Sequence, residues 1–142
     1  MDQQELKEKI LGILNESRTG VLSTIENDKP HSRYMTFIHE DDGLTIYTPT
    51  SKKTEKVDEI EKNPHVHILL GYSGEGLKDS YVEIAGTSKI NDSQDLKQKY
   101  WSDSFKPWFE GPEDPDYIFL QIKPESIRLM NNNGNTPAEL EL

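Results

Sequence analysis

The sequence predicts a mainly β domain of α+β class. The expected architecture is a small closed or partly closed antiparallel barrel of six to seven strands with about three peripheral helices. Three observations carry that expectation. Short runs rich in β-branched and aromatic residues recur along the chain, separated by turn-forming clusters. Only three segments have helical spacing, so strand and helix do not alternate as a doubly wound parallel sheet requires. Hydrophobic residues make up 32% of the 142 positions against 30% charged. So little apolar mass covers open sheet edges poorly, whereas closing the sheet removes them.

The first element is an amphipathic helix. Asp2 and Glu5 have the spacing of a capping box, Leu6, Ile10, Ile13 and Leu14 recur on one face, and the helix ends before Gly20. Val21 to Ile25 is the first strand, and Glu26 to Pro30 turns the chain into a second strand, His31 to His39. The turn Asp41-Asp42-Gly43 leads to Leu44 to Thr48, which completes a three-stranded meander. Pro49 stops that strand. Ser51 or Thr54 caps a short helix through Asn63, with Val57 and Ile60 on its buried side and Pro64 closing it. His65 to Leu70 and Tyr81 to Ile90 are strands joined by a connection with three glycines. Asp92 or Ser93 caps a third helix to about Trp101, and Phe105 to Asp116, with three prolines, is an ordered loop. Tyr117 to Ile122 and Ser126 to Met130 are the last strands. Residues 1–130 thus form one domain, and 131–142, Asn-rich and acidic, a flexible tail.

Charge and composition exclude whole classes of function. Twenty-six acidic against sixteen basic residues give a net charge of −10, which opposes nucleic-acid phosphates and anionic bilayers. There is no cysteine, which removes thiolate catalysis, disulfides and iron-sulfur ligation. Met1 to Ile10 is polar, and no apolar run approaches the roughly 20 residues that span a membrane, so a cytoplasmic location is expected. The modest core suggests support from a cofactor or a second subunit, and a homodimer is expected.

Within this acidic chain, Arg33, Lys52, Lys53 and Lys56 form a cationic island beside a helix start, where Ser51 or Thr54 adds a hydroxyl. Free backbone N–H groups, a hydroxyl and one or two cations suit a single phosphate. The competing reading is a solvated lysine face paired to Glu55 and Glu59. Other constellations carry less. His65 and His67 share a strand face without an evident third ligand, so no metal site is expected. Asp41-Asp42 and Glu113-Asp114 read as turn-setting carboxylates. Ser23, Ser32 and His31 lack an orienting acid, so no hydrolase triad is expected.

Five pieces together resemble a family: Gly20 to Thr24, Pro30 to Thr36, Leu44 to Thr48, Thr54 to Ile60, and Asn63 to Val66. Tyr81 to Gly86 and an aromatic loop with Trp101 and Trp108 to Pro115 extend the match. This pattern is similar to the FMN-binding split barrels related to pyridoxamine 5'-phosphate oxidase, in the general stress protein 26 branch. The resemblance implies a split β-barrel that binds FMN at a homodimer interface and acts as an oxidoreductase on a small molecule or electron donor. It also implies that Arg33, Thr54 and either Lys53 or Lys56 contact the phosphate. Arg33, Tyr34, Met35, Thr36 and Phe37 would run along the flavin ring, presenting backbone groups of Met35 to Phe37 to its polar edge. Tyr47 and Thr48 would line the same site, and Trp101 or Trp108 would approach the ring. Ile127 to Met130 lacks the Arg-x-His arrangement that the oxidase uses toward its substrate, so that specific activity is not implied. A flavin-binding, storage or sensing module without turnover is the alternative.

Overall fold

The computed structural model describes residues 1–40, 43–76, 79–132, 134 and 137–142. It contains α1 (Gln3–Glu16), β1 (Thr19–Glu26), β2 (Lys29–Thr36), β3 (Ile38–His39), β4 (Ile46–Ser51), α2 (Glu55–Lys62) and β5 (His65–Leu70). Then follow β6 (Tyr81–Asn91), α3 (Gln94–Lys99), a 3-10 turn (Asp103–Phe105), β7 (Tyr117–Met130) and β8 (Ala138–Glu139). The sheet is antiparallel in the order β2-β1-β5-β6-β7-β4-β3, with β8 added to β7.

The two ends of that order explain the barrel. β2 and β3 are outermost on opposite sides, yet Phe37 alone separates them in the chain. The sheet must therefore curl until its ends meet. The expected strand His31 to His39 is accordingly two strands: Thr36 pairs with Thr19 of β1, whereas Ile38 pairs with Tyr47 of β4. The expected meander is likewise corrected, because β4 pairs with β3 and β7 rather than with β2. Asp41 and Asp42, where a turn was expected, lie outside the described residues.

Local chemistry accounts for the other boundaries. Asp2 accepts from the Glu5 N–H at 2.8 Å and caps α1, whose Leu6, Ile10 and Leu14 pack into the barrel with Leu22, Ile68 and Ile84. The β1–β2 turn is tighter than the expected five residues. Asn27 and Asp28 alone make it, both with positive φ (52° and 62°), the backbone a two-residue hairpin favours. Ser93 caps α3 through the Leu96 N–H. β7 is one strand where two were expected, and a register shift at Ala85/Gly86 of β6 takes up the irregularity opposite Pro124. No helix among the described residues is long and apolar enough to cross a membrane.

Part of the segment expected as a flexible tail is built into the fold. Ala138 and Glu139 pair with Leu129 and Arg128, the Leu140 N–H donates to the Ile127 carbonyl at 2.9 Å, and the Leu140 side chain is buried in the core. A single leucine after an Asn-rich stretch was too weak a signal to separate from an acidic terminus.

Candidate functional site

One cavity of about 480 Å³ gathers much of the predicted set. It is lined by Tyr34, Met35 and Thr36 of β2, the end of β4, Thr54 and Lys56 at the start of α2, and Trp108 of the aromatic loop. α2 begins there without a side-chain cap. Thr54 occupies the N-cap position, but its hydroxyl donates to the Ser51 carbonyl at 3.0 Å and lies 3.5 Å from the Thr50 hydroxyl. The Val57 N–H is taken by the Thr54 carbonyl at 3.3 Å, while the N–H groups before it have no side-chain cap, and Thr54 and Lys56 beside them line the cavity. Burial, and then the neighbouring charge of Arg33, push the Lys56 ammonium below its ordinary pKa, while Glu59 partly offsets them. A cation held in this way gains from an arriving anion.

The alternative lysine sits elsewhere. Lys53 is 78% exposed and pairs with Asp116 at 3.3 Å, outside the cavity. Arg33 is also absent from the cavity lining. Its Nη2 donates to Glu59 Oε2 at 3.1 Å and its Nη1 to Thr24 Oγ1 at 2.7 Å. Glu59 is buried, takes the Thr24 hydroxyl at 2.5 Å and lies 3.0 Å from His31 Nδ1. Burial works to raise the Glu59 pKa, but the Thr24 and His31 hydrogen bonds and the charge of Arg33 outweigh it, and the carboxyl is held below its ordinary value. Sequence reasoning missed this residue. On α2 it reads as one of several surface carboxylates, and its partner is recognisable only once the β1–β2 hairpin is laid against the helix.

The ladder decides which backbone groups are free along β2. The Phe37 N–H donates to the Arg18 carbonyl at 2.6 Å, which makes that opposed pair a hydrogen-bonded one. By alternation, Arg33 and Met35 are also spent on β1, and the groups on the open edge belong to Tyr34 and Thr36. Of the expected Met35 to Phe37, only Thr36 has its backbone on the open edge, while Met35 and Phe37 are engaged on the β1 side. The Thr36 carbonyl already accepts from the Thr48 hydroxyl at 2.7 Å. Phe37 is buried in the core and lines a neighbouring cavity of about 520 Å³ with Arg18, His39, Lys99 and Trp101.

Tyr47 and Thr48 are buried and do not line the 480 Å³ cavity. Tyr47 belongs to an aromatic cluster with Phe109, Tyr117 and Phe119, and its hydroxyl donates to Glu40 at 2.9 Å. Burial and that carboxylate raise its pKa to about 12. The cluster supports the loop over the site. Trp101 packs edge-on against Tyr117 at 5.4 Å and Phe105 at 5.6 Å, which is a packing role, whereas Trp108 is 74% exposed beside the cavity. Asp114 accepts from the N–H groups of Glu110 and Asp116, so this acid sets loop geometry.

His65 and His67 join no ligand cluster among the described residues. Glu26, His31 and Glu59 place donor atoms within 4.8 Å of one another, but Arg33 already neutralises Glu59. That arrangement reads as an ion-pair network.

Comparison with known proteins agrees with this geometry. A family model described as pyridoxamine 5'-phosphate oxidase matches residues 6–131. General stress protein 26 of Bacillus subtilis (strain 168) is 57% identical over 142 residues, covering 100% of both chains. The crystal structure of general stress protein 26 from Bacillus anthracis str. Sterne superposes with a TM-score of 0.85 at 43% identity, covering 97% of this chain and 99% of that one. A Clostridium acetobutylicum protein related to general stress protein 26 shares the fold at 22% identity and a TM-score of 0.74, covering 91% of this chain and 89% of its own. With a curled antiparallel half-barrel, a helix start without a side-chain cap beside a cavity lined by Lys56, and this level of identity, the chain belongs to the pyridoxamine 5'-phosphate oxidase family of flavin-binding split-barrel proteins, on its general stress protein 26 side.

Proposed function

We propose that this protein binds FMN in the cavity between β2, α2 and the aromatic loop, and that it works as a cytoplasmic, homodimeric flavin-dependent oxidoreductase on a small molecule. The observation that carries the reading is Lys56 at the uncapped start of α2, a cationic end to a cavity in a chain of net charge −10. The phosphate fits there, held by Lys56, the Thr54 hydroxyl and the helix N–H groups, with Arg33 next to them. The ring fits along the open edge of β2, where Tyr34 and Thr36 offer backbone groups and Trp108 supplies an apolar cover.

When bound, the flavin supplies hydride exchange. The protein binds the phosphate, orients the ring and limits water with the aromatic loop. The adjoining 520 Å³ cavity, which meets the first at Thr36 and Phe105, gives space for a second molecule. Exposed Tyr34, Leu69 and Tyr72 around a further cavity support a second copy of the chain on that face.

The absorbance spectrum of freshly purified protein, followed by titration of stripped protein with FMN, tests the reading. Flavin bands, quenched FMN fluorescence and a raised melting temperature are expected; no saturable FMN binding refutes it. One observation favours the alternative of a flavin carrier or sensor: among the described residues, Lys56 and Tyr34 are the only titratable side chains that line the cavity. Reduction of the bound flavin by a reduced nicotinamide, with turnover on an acceptor, selects the enzyme. A flavin that no donor reduces selects the carrier.

A further inference from the structure

We infer that Glu59 is a positioning residue for the phosphate anchor: its buried carboxylate pins one edge of the Arg33 guanidinium so that the other edge is presented to the phosphoryl group. The inference rests on the FMN reading above and assigns a role to a residue for which the resemblance implies none.

The guanidinium has five N–H groups in a rigid fork. Nη1 uses two, toward Thr24 Oγ1 at 2.7 Å and the Leu22 carbonyl at 3.3 Å. Nη2 uses one, toward Glu59 Oε2 at 3.1 Å. The end formed by the two terminal nitrogens is thus spent inside the protein. Among the described residues, no acceptor engages Nε–H or the second hydrogen of Nη2. Those two are parallel and form the side edge, the pair with which an arginine grips a phosphate bidentately. Arg33 remains 26% exposed and lies close enough to Lys56 to act on its protonation, although Lys56 and not Arg33 lines the cavity itself.

Glu59 is well suited to hold such a group. It is 4% exposed, and its carboxylate has donors on both oxygens: Thr24 and Arg33 on Oε2, His31 on Oε1. An arginine clamped from one side loses less freedom when it binds from the other. The same carboxylate also repels an incoming phosphate, so the test has to separate position from charge. Glu59→Gln removes the charge but keeps an oxygen that accepts from Nη2, whereas Glu59→Ala removes both.

The experiment measures the affinities of FMN and of riboflavin, which lacks the phosphate, by fluorescence quenching for wild type, Glu59→Ala, Glu59→Gln and Thr24→Val. Glu59→Ala is expected to weaken FMN by about tenfold or more while riboflavin stays within about twofold; Glu59→Gln stays within about threefold of wild type for FMN. Thr24→Val removes another contact on the same edge and is expected to show the same selective loss, which decides the matter if Glu59→Ala does not fold. FMN bound by Glu59→Ala as tightly as by wild type, or more tightly, overturns the inference. An equal loss for both ligands also overturns it, because Glu59 would then be merely structural. Wild type that binds no FMN refutes the underlying reading instead.

Discussion

Replacing Lys56 by alanine removes a half-buried ammonium from the cavity lining, and replacing Lys53 removes one that is 78% exposed and paired to Asp116 at 3.3 Å. The two lysines are three residues apart, so sequence leaves either free to serve the phosphate, but their surroundings predict different consequences. A hydrogen bond to a charged group contributes about 1.5–3 kcal/mol. At 1.4 kcal/mol per factor of ten, Lys56→Ala should raise the Kd for FMN roughly 10- to 100-fold. A surface ion pair contributes about 0–1 kcal/mol and none of it to the ligand, so Lys53→Ala should change the Kd by less than about threefold. Fluorescence titration of the stripped proteins in one buffer measures both, with urea unfolding to confirm that each is folded. The reasoning fails if Lys53→Ala weakens FMN as much as Lys56→Ala does, because the phosphate would then lie on the outer face of the 51–54 turn.

Acidity offers an independent check on the same residue. Burial, and then Arg33, depress the Lys56 pKa, so FMN affinity should fall with rising pH before an ordinary lysine titrates. The ligand-free protein should gain a little stability over the same window, since the unfolded chain there binds more protons. Lys56→Arg should abolish the affinity drop, and a drop that persists in that variant points to another group. Leu140→Ala, at a site 5% exposed, should cost about 2–4 kcal/mol in urea unfolding; a change below about 0.5 kcal/mol would mean that the C-terminal segment is not seated in solution. In Gly86→Ala, the new Cβ would collide with the Lys123 carbonyl oxygen and crowd its carbon at 3.1 Å. Both are backbone, so β6 and β7 must part, and a loss of about 1–3 kcal/mol is expected. Unchanged melting of that variant would show that the register shift has room to spare.

Much of the fold was legible because it depends on local signals. The Asp2 cap, the Ser93 cap, the glycine-rich connection and most strand runs require only neighbours in sequence, and they occur where expected. What was not legible depends on closure. Nothing within His31 to His39 marks Phe37 as the place where one strand leaves β1 and the next joins β4; that break exists because the curled sheet has to meet itself. The site divides in the same way. Lys56, Thr54 and the β2 residues Tyr34 to Thr36 converge because a strand and a helix start carry them there together. Ile46, Tyr47 and Thr48 are consecutive and all buried, because β7 and the aromatic cluster cover β4, so the side chains of Tyr47 and Thr48 are consumed in packing. Glu59 was hidden for a further reason: a buried glutamate and a surface glutamate look alike until the partner that neutralises one of them is in view.

Consider finally the longest strand. β7 pairs with β6 from Phe119 to Met130, with β4 from Tyr117 to Ile122 and with β8 near its end. Fourteen residues therefore tie both flanks of the half-barrel to one beam, which braces the β4 strand whose end lines the cavity. Accommodation of molecules of different size must come from the roof, the stretch from Ser102 to Pro112 that rests on edge-on and tilted ring contacts rather than on a ladder. Hydrogen exchange should accordingly change there on loading and stay nearly constant in β6 and β7. A division of labour of this kind would let related chains acquire new partners by rewriting a dozen loop positions while the barrel beneath is left alone.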